Sequence, residues 1–230
     1  MTIEALKKRI KVTEDLREIV GTMKALSSVS ILQYEQANTA LAQYRRNLKD
    51  AFHALIKQGG LPKNEVKTAQ NRQLVILIGT DNGMVGKFNK EILDKAKADL
   101  KKQGVPLKDT LFLTVGKRIG GLAMQSNLKL YAKYAVANSV KMVNTIAETV
   151  IMKIDEATRK EHITSVCVWY HKRNKNEPVS VQKQQIIPFD FAAYQKLKDK
   201  PWGTNNIPLI PIERKKMFAA LLNEYLTIAL

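Results

Sequence analysis

Gly79, Gly83 and Gly86 lie between an apolar run and an amphipathic one, with Lys87 directly behind the last of them. Glycines at a strand-to-helix turn let backbone N–H groups close around a phosphate, so this is where nucleotide chemistry would sit. The spacing departs from both phosphate-binding patterns. Two residues after Gly79, where a dinucleotide fingerprint needs glycine, stands Asp81. Gly86-Lys87 is followed by Phe88 where a P-loop needs Ser or Thr, and the residue five before Gly86 is again Asp81. A carboxylate facing a pyrophosphate would repel it. The expectation is therefore a structural turn at Asp81, Gly83 and Gly86, with no catalytic residue and no cofactor.

Other chemistries find no footing. The chain has no G-x-S-x-G and no H-E-x-x-H, and Asp81 is a lone acid without a partner to form a reaction centre. His53, His162, His171 and the single Cys167 show no metal-ligand spacing. Cys167 sits in the apolar run Ile163-Thr-Ser-Val-Cys-Val-Trp-Tyr170 and reads as a small buried hydrophobe. The formal net charge of +17 predicts an acidic neighbour, whether nucleic acid, anionic lipid or acidic protein. No zinc-finger spacing and no Gly/aromatic RNA-binding run accompanies the charge. The start MTIEALKKRI lacks an apolar core and carries Glu4, which argues against a signal or transit peptide. No window approaches eighteen consecutive apolar residues. A cytosolic chain is expected, meeting a membrane through partners.

These residues need elements to hold them. From about residue 2 to 57 there is no proline and one glycine, Gly21. Apolar or small residues recur there at alternating steps of three and four, through Ile3, Leu6, Ile10, Leu16, Met23, Tyr34, Leu41, Leu48 and Leu55. That is close to a heptad seam, and the helix it predicts would extend roughly 80 Å at about 1.5 Å per residue. Its middle is small and polar, at Ala25, Ser27, Ser28 and Ser30. The breakers Gly59-Gly60-Leu-Pro-Lys-Asn64 end it. Residues 72–79, 111–115 and 163–170 are short apolar runs suited to buried strands, and 179–187 alternates like an edge strand, joined to 163–170 by a polar turn at 172–177. Helical patterns fill 87–103, 117–126 and 140–159. After a Pro-rich linker, a last helix is expected over 212–230. The fold class is α/β: a long N-terminal coiled-coil helix over 1–58, a Rossmann-like domain over 70–200, and the start of a C-terminal coiled-coil helix over 208–230.

Three ordered motifs carry a family resemblance. Ile19-Val-Gly-Thr-Met23-Lys24-Ala-Leu-Ser-Ser28 resembles the helix signature of the gamma subunit of F-type rotary ATPases. Ile78-Gly-Thr-Asp81-Asn-Gly83-Met-Val-Gly86-Lys-Phe88-Asn89 resembles that family's strand–loop–helix motif, which normally reads SDRGLCGxFN. Val115-Gly116-Lys117 resembles its next strand and turn. The wording of Thr22-Met-Lys-Ala-Leu-Ser-Ser, with Ile31-Leu-Gln-Tyr34-Glu35, is nearer to the alternate, or N-type, branch than to the housekeeping enzyme.

The resemblance implies a non-catalytic central-stalk subunit in a complex that makes or hydrolyses ATP and transports hydrogen or other ions. Its helices would form an antiparallel coiled coil inside the ring of alpha and beta subunits, with the α/β domain against the epsilon subunit and the c-subunit ring. It implies a partner interface at Met23, Lys24, Ser27 and Ile31, with Met23 and Lys24 facing acidic lever loops of the beta subunits. It places the chain at the cytoplasmic face of a bacterial or archaeal inner membrane, peripheral, with no nucleic acid. It also implies a C-terminal helix cut short at Leu230. The alternatives are a nucleotide-binding α/β enzyme, which needs a phosphate site the residues do not spell, and a basic nucleic-acid-binding protein with a coiled-coil arm, which leaves the ordered motifs unexplained.

Overall fold

The computed structural model describes residues 2–59, 72–173 and 178–230. The Gly60–Asn64 part of the breaker segment and the 174–177 part of the polar turn lie outside the described residues. The chain divides into two compact units, residues 1–45 and 46–230.

The first unit is helix alone. Helix α1 spans Ile3–Lys57 without a break, and every buried residue in it falls at or beyond Leu48. Before that point the apolar seam is open: Leu6 is 45% exposed, Leu26 65% and Val29 62%. Three hydroxyls in and beside this polar stretch are satisfied inside the helix. Thr22 Oγ1 donates to the Glu18 carbonyl at 3.1 Å, Ser28 Oγ to Lys24 at 2.9 Å, and Ser30 Oγ to Leu26 at 3.0 Å. The small residues at the seam's centre therefore leave a shallow surface.

The second unit is an α/β body built on one five-stranded sheet. Its strands are β1 (Gln73–Ile78), β2 (Thr110–Val115), β3 (Leu130–Tyr134), β4 (Ser165–Lys172) and β5 (Ser180–Ile187), in the order β3-β2-β1-β4-β5. All neighbours run parallel except β4 and β5, which pair antiparallel as the alternation of 179–187 predicts. Between the strands lie α2 (Phe88–Lys102), α3 (Lys117–Gln125) and α4 (Val140–Lys160).

The near-continuous apolar sequence of β1 follows from burial on both faces. Val75 and Leu77 join Ile92, Ala96, Phe112 and Ile119 under α2 and α3. Leu74 and Ile76 join Leu113, Val150, Ile154 and Val168 under α4. Cys167 lies in the first of these cores at 3% exposure, as its sequence context predicts, and burial pushes its thiol up to about 11, so it stays protonated and unreactive at neutral pH.

Two elements differ from the sequence reading. Strand β3 was not expected. Its residues Leu-Tyr-Ala-Lys-Tyr are all half-buried or exposed, and it pairs only on its β2 side, so it shows neither an apolar run nor a clean alternation. The short helix α5 (Phe191–Gln195) was also not expected; its N-terminus is capped by Asp190, whose carboxylate accepts from the Ala193 N–H at 2.9 Å.

The last helix, α6 (Arg214–Ala229), starts and ends close to the expected bounds. Its Phe218 lies 6.3 Å from Phe52 near the end of α1. Its second half does more: Leu226 and Ala229, with Leu230 after them, pack against the core under α4. Phe52, Phe189, Phe191, Tyr194, Phe218 and Tyr225 thus form an aromatic nucleus joining the end of α1, the segment after β5, and α6.

Candidate functional sites

The glycine turn sits where an open α/β sheet would place a ligand, at the carboxyl edge of the parallel strands. The polar groups of Thr80, Asp81 and Asn89 are turned onto the protein itself. Thr80 N–H donates to Asn89 Oδ1 at 2.9 Å, and Asn89 Nδ2 donates back to Thr80 Oγ1 at 2.9 Å. The Thr80 hydroxyl donates to the Asn82 carbonyl at 2.9 Å. Asp81 does not face an empty cradle. Its Oδ1 accepts from Lys117 N–H, the first residue of α3, at 2.7 Å and from Val136 N–H, just past β3, at 3.2 Å. A helix N-terminus attracts an anion, and here the chain's own carboxylate takes that place.

The backbone closes the remaining space. Gly116 has φ 128°, and a β-carbon on it would stand 2.9 Å from Thr80 N, so two turns of the sheet edge touch directly. A β-carbon on Gly79 would meet Ile119 Cβ at 2.7 Å. Gly83 lies beneath the Arg118 guanidinium, 2.8 Å from its would-be β-carbon to Nη2, and Gly86 takes φ 56°. Beside this edge lies a cavity of about 170 Å³ lined by Ile78, Val115, Val136, Val143, Ile146 and Leu230 among others, all apolar. It offers no donor to a phosphate.

The sequence singled out Asp81 but missed its partners. Lys117 and Val136 stand 36 and 55 residues away, and both offer backbone N–H groups that carry no side-chain signature. Arg118 was missed as well. Asn89 was legible only as part of a motif; an Asn at the first turn of a helix after a glycine loop is the signal that could have marked it.

Removing the Asp81 carboxylate should orphan two N–H groups at once. Hydrogen bonds to a charged acceptor contribute about 1.5–3 kcal/mol each, and this site is part-exposed, so Asp81→Ala should cost the α/β body about 2 kcal/mol. Asp81→Asn keeps an acceptor oxygen and should cost less than half as much. Urea denaturation of the two variants compares them; a negligible loss for Asp81→Ala would mean that the carboxylate's bonds contribute nothing.

The second candidate is the exposed face of α1. Met23 is half-buried; Lys24, Ser27 and Ile31 are exposed, Ile31 at 45%. Met23 and Ser27 stand one helical turn apart, as do Ser27 and Ile31, so the three share a face, with Lys24 at its side. Residues 1–45 carry seven of the chain's 38 basic residues and five of its 21 acidic ones. A surplus of fifteen positive charges therefore belongs to residues 46–230. Among the described residues no group of His, Cys, Asp and Glu has the arrangement of a metal site, and no helix is long and apolar enough to cross a membrane.

The family model described as ATP synthase matches residues 2–230. The ATP synthase gamma chain of Geotalea uraniireducens is 26% identical over 137 residues, 58% of this chain and 47% of that one. The ATP synthase gamma chain of Pelagibacter ubique is 26% identical over 199 residues, 81% of this chain and 66% of that one. The chain spans about half the length of the first curated relatives it matches. Among solved structures, a chain of the central stalk and c-ring of the Tetrahymena thermophila mitochondrial ATP synthase shares the fold, with a TM-score of 0.54 at 18% identity over 89% of this chain and 87% of that one. A long helix open along its seam, a sheet edge closed on itself, and a family match running from residue 2 to residue 230 agree, and the chain belongs to the ATP synthase gamma-chain family.

Proposed function

We propose that this chain acts as the central rotor stalk of an F-type ATPase: it turns inside a catalytic ring, carries torque between ATP chemistry and ion translocation, and catalyses nothing itself. The observation that carries the reading is the uninterrupted 55-residue helix α1 whose buried residues begin only at Leu48. Such a helix is a stiff lever with its apolar seam left for other chains. The partners follow from the family: alpha and beta subunits around the helix, epsilon and the c-ring against the α/β body, and a peripheral position at the cytoplasmic face of the membrane. The sequence wording around Thr22–Ser28 and Ile31–Glu35 supports placing it in the N-type branch.

In this reading the face bearing Met23, Ser27 and Ile31 beds against the ring, and Lys24 meets carboxylates on the beta subunits. Ion pairs at an interface set register and association rate more than raw affinity, and salt screens them. In the assembled complex, Lys24→Glu should lower ATP-driven ion pumping several-fold at unchanged subunit stoichiometry, with a smaller loss for Lys24→Ala. Pumping that survives Lys24→Glu but fails with Lys24→Ala would contradict the electrostatic role.

The turn at Asp81, Gly83 and Gly86 is read as structural, because its Thr80 N–H is taken by Asn89 and the N-terminus of α3 by Asp81 itself. Calorimetric titration of the isolated chain with ATP or NAD should give no saturable heat. A stoichiometric isotherm would move the site to the enzyme reading.

A further inference from the structure

The loop between α5 and α6 combines exposed apolar residues with a dense positive flank. Leu209 is 86% exposed, the highest value among the large apolar side chains described, and Ile207 and Ile212 are 40% and 48% exposed. Lys196, Lys198 and Lys200 precede them and Arg214, Lys215 and Lys216 follow, all exposed. Only Asp199 and Glu213 oppose that charge between residues 196 and 216.

Four contacts hold this loop to the end of α1. His53 Nε2 lies 3.2 Å from the Lys200 carbonyl, and its ring packs 5.1 Å from that of Trp202. Gln58 Nε2 donates to the Pro208 carbonyl. The Arg214 guanidinium lies against Gly59. Inside the loop, the Trp202 indole N–H donates to Thr204 Oγ1 and to the Asn206 carbonyl, each at 3.0 Å. Residues 200, 208 and 214 therefore converge on residues 53–59, which gathers the two lysine-rich flanks around one apolar tip.

We propose that this loop is a contact surface for an anionic phospholipid bilayer. Ile207 and Leu209 would enter the boundary between headgroups and acyl chains while the flanking lysines pair with lipid phosphates. A bilayer suits the surface better than a folded partner does. A stable protein interface buries roughly 800 Å² per partner with matched shape, and three apolar side chains on one loop provide far less. A planar anionic surface needs no shape match and also engages the diffuse positive surplus of residues 46–230. The proposal does not depend on the rotor reading, which reaches the membrane through other subunits.

Flotation of the intact chain with vesicles tests it, using phosphatidylcholine alone and phosphatidylcholine with one third phosphatidylglycerol. The chain should float with the anionic vesicles only, and high salt should release it. Leu209→Ser and Lys215→Glu/Lys216→Glu should each weaken binding by about tenfold. Lys101→Glu/Lys102→Glu reverses the same charge in the last turn of α2 and should weaken it by about threefold or less. Circular dichroism and thermal melting confirm that each variant is folded. No flotation with anionic vesicles would overturn the proposal. So would a Leu209→Ser variant that binds normally while both charge reversals weaken binding equally, since net charge alone would then explain it. Tighter binding to soluble polyglutamate than to anionic vesicles, with Leu209 dispensable, would assign the surface to an acidic protein and overturn it as well.

Discussion

Phe52→Ala should destabilise the α/β body by about 3–5 kcal/mol, more than any substitution on the first 45 residues of the same helix. Phe52 is fully buried, and its ring lies 5.4 Å from Phe189, 4.8 Å from Tyr194 and 6.3 Å from Phe218. Those partners come from two separate stretches of chain, the segment after β5 and α6, so the cavity left by alanine would open where they meet and could not collapse onto one neighbour. Offset and edge-on ring pairs add about 0.5–1.5 kcal/mol each beyond area burial. At roughly 2–4 °C per kcal/mol for a domain of this size, the melting temperature should fall by about 6–20 °C. Leu26→Ala, at a position 65% exposed, should change it by less than about 2 °C in the isolated chain. Thermal unfolding followed by near-UV dichroism makes the comparison; a Phe52→Ala loss no larger than that of Leu26→Ala would show that the aromatic nucleus does not tie the end of α1 to the body.

Amide hydrogen exchange should divide α1 into two regimes. A helix in water is marginal without a packed face, because nucleation is costly and most helical stability comes from tertiary burial. Residues 6–28 have no buried member, whereas Leu48, Phe52, Ala54, Leu55 and Ile56 are all buried. Amides of residues 48–56 should open only with the body and report its full stability. Those of residues 6–28 should exchange about a thousandfold faster or more in the isolated chain. Adding a partner that covers the seam should slow them. Strong protection of residues 6–28 that equals that of 48–56 and is independent of protein concentration would mean that the helix needs no partner.

The sequence made some of this legible because the signals were local. β1, β2 and β4 are buried on both faces and so read as unbroken apolar runs; α1 repeats its spacing for fifteen turns' worth of chain with no proline. Asp81 was legible as an objection to phosphate binding by its position alone. What escaped were features set by chain contacts at long range. β3 gains its identity from pairing with β2, since Lys133 and two half-exposed tyrosines hide any pattern. The bonds of Asp81 to Lys117 and Val136, the aromatic nucleus around Phe52, and the placement of Leu226, Ala229 and Leu230 on the core under α4 all depend on topology. α6 carries apolar residues on more than one face, so its sequence did not say that it would serve the end of α1 and the sheet together. The face at Met23, Lys24, Ser27 and Ile31 came from family wording, and in the proposed reading a partner covers it.

The most direct test of the rotor account is isolation of the tagged chain from membranes of its native host, followed by identification of what co-purifies. The account predicts alpha and beta subunits together with epsilon and c subunits, and release of the alpha–beta ring from the chain when residues of the α1 seam such as Ile10 and Leu16 are replaced by aspartate. Consistent recovery of the chain without alpha, beta or c subunits, or co-purification with nucleic acid in their place, would contradict it.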